Sequence, residues 1–395
     1  MSLSTAPARA PSGSTDHPRD VLESWHLSPS TNRDYHFLDG IRGVAILMVL
    51  TCHFIYVNPH AGPALRFIGD IALAGKNGVP LFFALSGFLI SWPFWKRRVR
   101  GEKTAAPAGY GWRRFYKIYP PLCLSILLLT PFYILRTGDS SYLQLALKWL
   151  VGVPLFFRID GRLNPVMWSL VIEVQFYIVL PLLMLCLKRI STKTCLWLVP
   201  VLFFVVGIGQ RSFQFWKYGL PVAYVKAIDF PFPSGLDFFA LGVLIAGLHS
   251  QRKITASHAR WAWAGVALLI GMIVWGGWLQ FASIETFPLD ETVSLGVKVA
   301  CGLILLCVGN PRALLSRVFS HPALRWCGII SYEWYLFHQP LATTTRQIFG
   351  SAEGNIFRYS AILAGPFLVS VVFSAAVYRF FSLPILRFGR SRHSE

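Results

Sequence analysis

Apolar residues run along the chain in blocks of about 16 to 24, separated by shorter stretches that carry most of the charge. As a helix, such a block rises ~1.5 Å per residue and approaches the ~30 Å hydrocarbon core of a bilayer. The pattern predicts ten spanning helices, at 41–58, 77–95, 115–135, 166–187, 194–210, 234–249, 261–280, 294–309, 323–345 and 359–382. An eleventh block, SYLQLALKWLVGVPLFF at 141–157, is interrupted by Gln144, Lys148, Gly152 and Pro154.

Charge decides whether that block crosses. With ten spans and an inner N-terminus, the inner connections and C-terminal tail hold 20 Lys and Arg, against 11 in the longer outer connections. Letting 141–157 cross would move the KRISTK, QRK and C-terminal arginine clusters outside, against the inward bias of positive charge. The segment 141–157 is therefore expected as an interfacial or re-entrant helix on the outer side. The expected fold class is all-α: a polytopic helical membrane bundle of about ten transmembrane helices, both termini cytoplasmic. Residues 1–34 read as a flexible polar tail, 35–385 as the membrane domain and 386–395 as a basic C-terminal tail.

Composition agrees, with 54% hydrophobic and 14% charged residues in 395 and a mean hydropathy of +0.51. The net charge of +19 lies in loops between spans, so topology explains it and nucleic acid is not an expected partner; membrane lipids are. Seven cysteines are scattered, without a CxxC pair, which argues against a disulfide framework or a metal site. Nothing in the sequence sets the oligomeric state.

Polar residues inside the spans carry the chemistry. In DGIRGVAILMVLTCH, Arg42 and His53 are about 16 Å apart along one helix stripe, close to three full turns. A solitary intramembrane histidine can be a hydrogen-bonded packing residue, but two other spans add to it. In WSLVIEVQFY, Ser169, Glu173 and Tyr177 fall at i, i+4 and i+8, a polar stripe on an oily helix. An ionisable group at that depth is a functional candidate, with a structural ion pair as the plain alternative. In SYEWYLFHQP, Ser331, Tyr335 and His338 share a face, while Glu333 points elsewhere. His53, Glu173 and His338 thus fall at similar depth towards the outer leaflet.

At the inner mouth of the third span, WRRFYKIYP brings Arg113, Arg114 and Lys117 together. Arg114 and Lys117, at i and i+3, aim along one face and with Arg42 suit the phosphates of a cytoplasmic donor. Snorkelling to lipid headgroups is the alternative reading. Asp237 and Lys298 fall within a turn of the outer boundary and are expected to snorkel as well. The SGF at 86–88 is expected to let helices approach closely.

Taken in order, DGIRG with Arg42-x10-His53, FFALSGFLIS at 82–91, RRFYKIYP at 113–120, WSLVIEVQFY at 168–177 and SYEWYLFHQP at 331–340 resemble the membrane-bound acyltransferase 3 family. The resemblance spans residues 36 to 382. It implies ten spanning helices, in agreement with the charge argument, and transfer of acetyl or other acyl groups onto sugars and related acceptors. Its essential arginine and histidine map onto Arg42 and His53. Its basic Arg-x-x-Arg pair is Arg114-x-x-Lys117 here, which keeps the charge and loses one bidentate fork. With no soluble domain after residue 395, one acyl-transfer module is expected to suffice.

On this resemblance acyl-CoA, acetyl-CoA foremost, is the expected co-substrate, and no permanently bound cofactor or metal is expected. Its phosphates would meet Arg42, Arg113, Arg114 and Lys117, and its arm would thread towards His53. His53 would act as general base on an acceptor hydroxyl, or carry the acyl group transiently. Glu173 would orient it, and His338, Tyr177, Ser169, Tyr335 and Ser331 would support the acceptor or carbonyl. A carbohydrate or glycolipid acceptor at the outer face of a bacterial inner membrane is the expected partner. The alternatives are a transporter or flippase of a lipid-linked saccharide, for which no paired broken helices are visible, and a hydroxylated lipid or small natural product as acceptor.

Overall fold

Long apolar blocks broken by Gly, Pro and charge become long helices, and among the described residues every regular element is helical. The computed structural model describes residues 35–55, 62–102, 109–155, 160–218, 233, 235–284, 287–349 and 356–392. In chain order the helices are α1 His36–Phe54, α2 Pro63–Leu73, α3 Gly78–Val99, α4 Tyr110–Thr137 and α5 Ser141–Leu150. There follow α6 Met167–Cys186, α7 Thr192–Tyr218, α8 Asp237–Ser250, α9 Trp261–Phe281 and α10 Phe287–Leu305. The last are α11 Leu314–Phe319, α12 Pro322–Ile329, α13 Ser331–Phe349, α14 Ile356–Ala376 and α15 Leu383–Arg392. Eight helices are long and apolar enough to cross a membrane. With the shorter α8 and the more polar α13, they account for the ten predicted spans. The protein is a polytopic helical membrane protein.

Two boundaries differ from the sequence expectation. The span predicted at 323–345 is two helices, α12 and α13, meeting at Ile330; hydropathy records composition and is blind to this break. Past α14 a π-helical turn, Val377–Ser382, leads into α15, so the helix runs to Arg392, across the expected boundary at 385. The tail at 1–34 lies outside the described residues.

Of the segment 141–157, residues 141–155 are described, and they turn back against α4. Gly138, at φ +70°, ends α4 in the left-handed conformation that L side chains resist, and its N–H bonds the Ile134 carbonyl at 2.8 Å. α5 then folds back along α4. Tyr133 and Tyr142 stack near the turn, and Tyr119, nearly four turns earlier on α4, donates to the Leu150 carbonyl at 2.7 Å. After Gly152 (φ +78°) the chain returns to where it entered, because Arg162 reaches Ser141 at 3.2 Å and Asp139 at 3.6 Å. Entry and exit thus lie at one end of the hairpin. Arg162 also binds Asp160 at 2.9 Å and holds its carboxyl below the usual range. A lowered folded-state pKa contributes above the ordinary carboxylate value and is lost only as pH falls through the lowered one, so this closure is intact at neutral pH.

The core is set by backbone-close helix pairs. α1 lies on α11 and α12, where a methyl on Gly40, Gly43 or Gly328 would overlap the carbonyls of Phe319, Leu324 and Asp39 respectively. Two of these glycines flank Arg42 in DGIRG, so that motif is partly a packing motif. α3 lies equally close on α8, with Gly87 against the Phe239 backbone, as the SGF stretch predicted. We expect Gly43→Leu to separate α1 from α12 and abolish monodisperse protein in size-exclusion chromatography; a well-folded variant would contradict this packing.

Asp237 and Lys298 do not snorkel. Asp237 (0% exposed) and Lys298 (2%) are buried between α7, α8 and α10. Arg211 binds Asp237 at 2.7 Å and Glu291 at 2.6 Å, and Lys298 pairs with Asp237. Two acids and two bases cancel, which is how hydrocarbon-depth charges avoid the cost of standing alone. Arg98, expected as a topology charge, is likewise buried (7% exposed) and donates to the Leu187 carbonyl at 2.9 Å and to that of Ile190. It closes the open carbonyls where α6 ends.

Candidate active site

The polar stripes of α1, α4, α6 and α13 converge on one cavity of about 180 Å³. Its walls include Arg42, Lys117, Glu173, Tyr177, Ser169, Ser331 and Tyr335, from four helices predicted separately. Ser86 of α3, Tyr332 of α13 and Tyr378 of the π turn also line it.

At one end are the cations. Arg42 has Asp39 at 3.6 Å, with both side chains about a fifth exposed (21% and 23%). Lys117 lies in the field of Arg42 and is also felt by Glu173 and Glu333. Among the described residues, no carboxylate comes within salt-bridge distance of Lys117. Glu333, buried at 3% exposure, does not line the cavity and interacts with Ser382 of the π turn.

Midway, Glu173 accepts hydrogen bonds from Ser86 at 2.8 Å and Tyr177 at 2.6 Å. Ser169 Oγ and the Tyr335 hydroxyl stand 2.8 Å apart, and both reach the Val166 carbonyl, at 3.1 and 3.2 Å. Ser331 donates to the Gly328 carbonyl at 2.8 Å, so its hydroxyl ties α13 to the last turn of α12.

Neither histidine lines this cavity. Tyr335 does, and its ring centroid is 5.7 Å from that of His338. His338 is fully buried and its Nε2 is 3.1 Å from His53 Nδ1. The surrounding carbonyls fix both tautomers. His338 Nδ1 faces the carbonyls of Tyr335 (2.7 Å) and Trp334 (3.1 Å), which only accept, so it carries the hydrogen. His53 Nδ1 faces the Val49 carbonyl at 3.0 Å and must carry its hydrogen too. That N–H is therefore shared between Val49 and the lone pair of His338 Nε2. The lone pair of His53 is left on Nε2, the atom a base needs.

Glu173 is thus engaged by Ser86 and Tyr177, and His338 holds the position beside His53 that the sequence assigned to Glu173. Helical spacing shows which residues share a face, not which face a neighbouring helix presents. Arg114 and Lys117 also part company. Lys117 enters the polar cavity, whereas Arg114 lines a separate apolar one. Arg113 lines neither and lies in the field of Arg114 and Arg390.

Asn164 was not singled out by sequence. Pro340 has no N–H to offer the Leu336 carbonyl one turn back in α13. Asn164, 1% exposed, donates to that carbonyl at 2.7 Å and so braces the turn that carries His338. A proline inside a polar helix was the available signal. Asn164→Val should cost about 1–3 kcal/mol through the unpaired carbonyl. It should lower the melting temperature in detergent and reduce kcat more than it raises KM; an unchanged melting temperature would refute the bracing role.

A family model described as "Acyltransferase domain" matches residues 35–375. The chain belongs to the acyltransferase 3 family. It is 26% identical over 377 residues to "Peptidoglycan O-acetyltransferase OatA" of Listeria monocytogenes, covering 89% of this chain and 56% of that protein. It is 25% identical over 379 residues to "Putative peptidoglycan O-acetyltransferase YrhL" of Bacillus subtilis, covering 88% and 54%. With "Putative membrane-bound transacylase BcsY" of Komagataeibacter xylinus it shares 23% identity over 382 residues, covering 91% and 84%. The chain therefore spans little more than half the length of the first two relatives. No solved structure matches.

Proposed function

We propose that the protein is a membrane O-acyltransferase that moves an acyl group, acetyl in the simplest case, from cytoplasmic acyl-CoA to a carbohydrate hydroxyl at the outer side. The observation that carries this reading is the His53–His338 pair, whose tautomers leave His53 Nε2 basic. Two bacterial relatives named for peptidoglycan O-acetylation support a glycan acceptor. The inward bias of Lys and Arg supports cytoplasmic termini and, with the bacterial relatives, an inner-membrane location.

In this mechanism Arg42 and Lys117 bind the phosphates of CoA, which supply the anion that Lys117 otherwise lacks. The pantetheine arm follows the cavity past Glu173 to Tyr335. His53 Nε2 takes the proton from the acceptor hydroxyl as its oxygen attacks the thioester carbonyl. The C–S bond breaks, and the leaving thiolate takes the proton back from the His53 imidazolium to give the CoA thiol. His338 accepts from Nδ1–H throughout and so stabilises the imidazolium. Glu173 holds Tyr177 and offsets the cations.

Reconstituted full-length protein given acetyl-CoA labelled in the acetyl group should transfer label to a soluble glycan acceptor and release free CoA thiol. A transporter would move label across the vesicle without breaking the thioester, and that result would refute the proposal. Lys117→Ala should raise KM for acetyl-CoA by about tenfold or more, the loss of a charge-assisted hydrogen bond, with a smaller change in kcat; an unchanged KM would remove Lys117 from the donor site.

A further inference from the structure

The second cavity, of about 340 Å³, lies between α4, the end of the re-entrant α5 and α6. Its lining is almost entirely apolar, including Phe115, Leu122, Trp149, Val174 and Ile178. Phe115 (42% exposed) and Ile178 (45%) lie on the outer surface of the bundle, so the cavity opens sideways onto the bilayer.

One full charge lines it. The Arg114 guanidinium sits over the rings of Tyr177 at 5.6 Å and Tyr110 at 5.9 Å. Its Nε is buried without a hydrogen-bond partner, and among the described residues no carboxylate pairs with it. Arg113 and Arg390 add positive charge at the same end. Arg211, by contrast, is matched by Asp237 and Glu291. An unmatched guanidinium beside a greasy, laterally open cavity calls for a ligand with an anionic head and a hydrocarbon chain.

We propose that this cavity binds one hydrocarbon chain of an anionic glycerophospholipid from the surrounding bilayer, with the lipid phosphate on Arg114. The lateral opening favours a bilayer lipid over the chain of a water-soluble thioester, which would enter through the polar cavity. Tyr177 is common to both cavities: its ring lies under Arg114 and its hydroxyl holds Glu173. A phosphate that pins Arg114 therefore braces a wall of the polar chamber.

The test is photolabelling of the full chain in vesicles with phosphatidylglycerol or phosphatidylcholine carrying a diazirine in one acyl chain, followed by peptide mapping. Phosphatidylglycerol should label the peptides around Phe115, Val174 and Ile178 about tenfold more than phosphatidylcholine. Arg114→Gln should reduce that preference to near parity. Gly111 lines the cavity and a Cβ there meets nothing within 4 Å, so Gly111→Leu should fill the space and suppress labelling from both lipids. If Gly111→Leu fails size-exclusion analysis, Val174→Phe fills the same space from α6. Equal labelling by the two headgroups, or labelling that survives the filling substitution, would overturn the proposal. So would labelling of these peptides by a diazirine-bearing long-chain acyl-CoA that phosphatidylglycerol does not displace.

Discussion

Replacing His53 with alanine is expected to lower kcat/KM for acyl transfer by about 10²- to 10⁴-fold, the usual contribution of a general base. Insertion and folding should survive, because His53 sits near the end of α1 and alanine keeps the helix there. His338→Leu should give a smaller loss: it leaves Nε2 of His53 in place but removes the acceptor that holds Nδ1–H and steadies the imidazolium. The measurement is label transfer from acetyl-CoA by purified variants matched for monodispersity. If His53→Ala turned over normally, the base assignment would fail. If His338→Leu lost as much as His53→Ala, the two rings would act as one unit rather than as base and support.

The second large effect concerns folding. Asp237→Ala removes the carboxylate that both Arg211 and Lys298 face, leaving Lys298 charged and buried. Breaking a buried pair from one side typically costs about 3–5 kcal/mol, enough to unfold a marginally stable protein. The variant should melt well below the parent in detergent or fail to accumulate. Adding Lys298→Met to Asp237→Ala leaves Arg211 with Glu291 and restores neutrality, so the double variant should recover much of the loss. A double variant worse than the single one would mean that packing rather than charge balance sets the stability here.

Much of this architecture was legible in the sequence because a bilayer imposes two simple constraints, length and charge sidedness. The apolar blocks became helices, eight of them long and apolar enough to cross a membrane, and the broken block at 141–157 became a hairpin against α4 with its ends together. What hydropathy could not show was backbone: the break at Ile330 lies inside one predicted span. Nor could it separate a charge that reaches water from one neutralised inside, since Asp237 finds Arg211, 26 positions earlier, only in the folded bundle.

The site was legible as a set of faces. Helical periodicity picked out Ser169, Glu173 and Tyr177, and also Ser331, Tyr335 and His338, because polar side chains on an oily helix share a side for a reason. It could not pair faces across helices. The partner of His53 comes from 285 residues away and the partner of Leu336 from 172, distances over which spacing carries no information. The i, i+3 relation of Arg114 and Lys117 likewise said nothing of Tyr177, which belongs to both cavities and lies under Arg114. DGIRG was read as the setting of Arg42, and its glycines turn out to seat α1 on α12 as well.

The central claim is that cations at one end of the polar cavity and the imidazole pair beyond its other end serve one acyl-CoA molecule. A cryo-EM structure of the full chain with a non-hydrolysable acetyl-CoA analogue tests this most directly. The account predicts phosphates on Arg42 and Lys117, the arm running past Glu173, and the acyl carbon beside Tyr335 within reach of His53 Nε2. An analogue whose acyl end lies away from His53, or whose phosphates sit away from both cations, would contradict it.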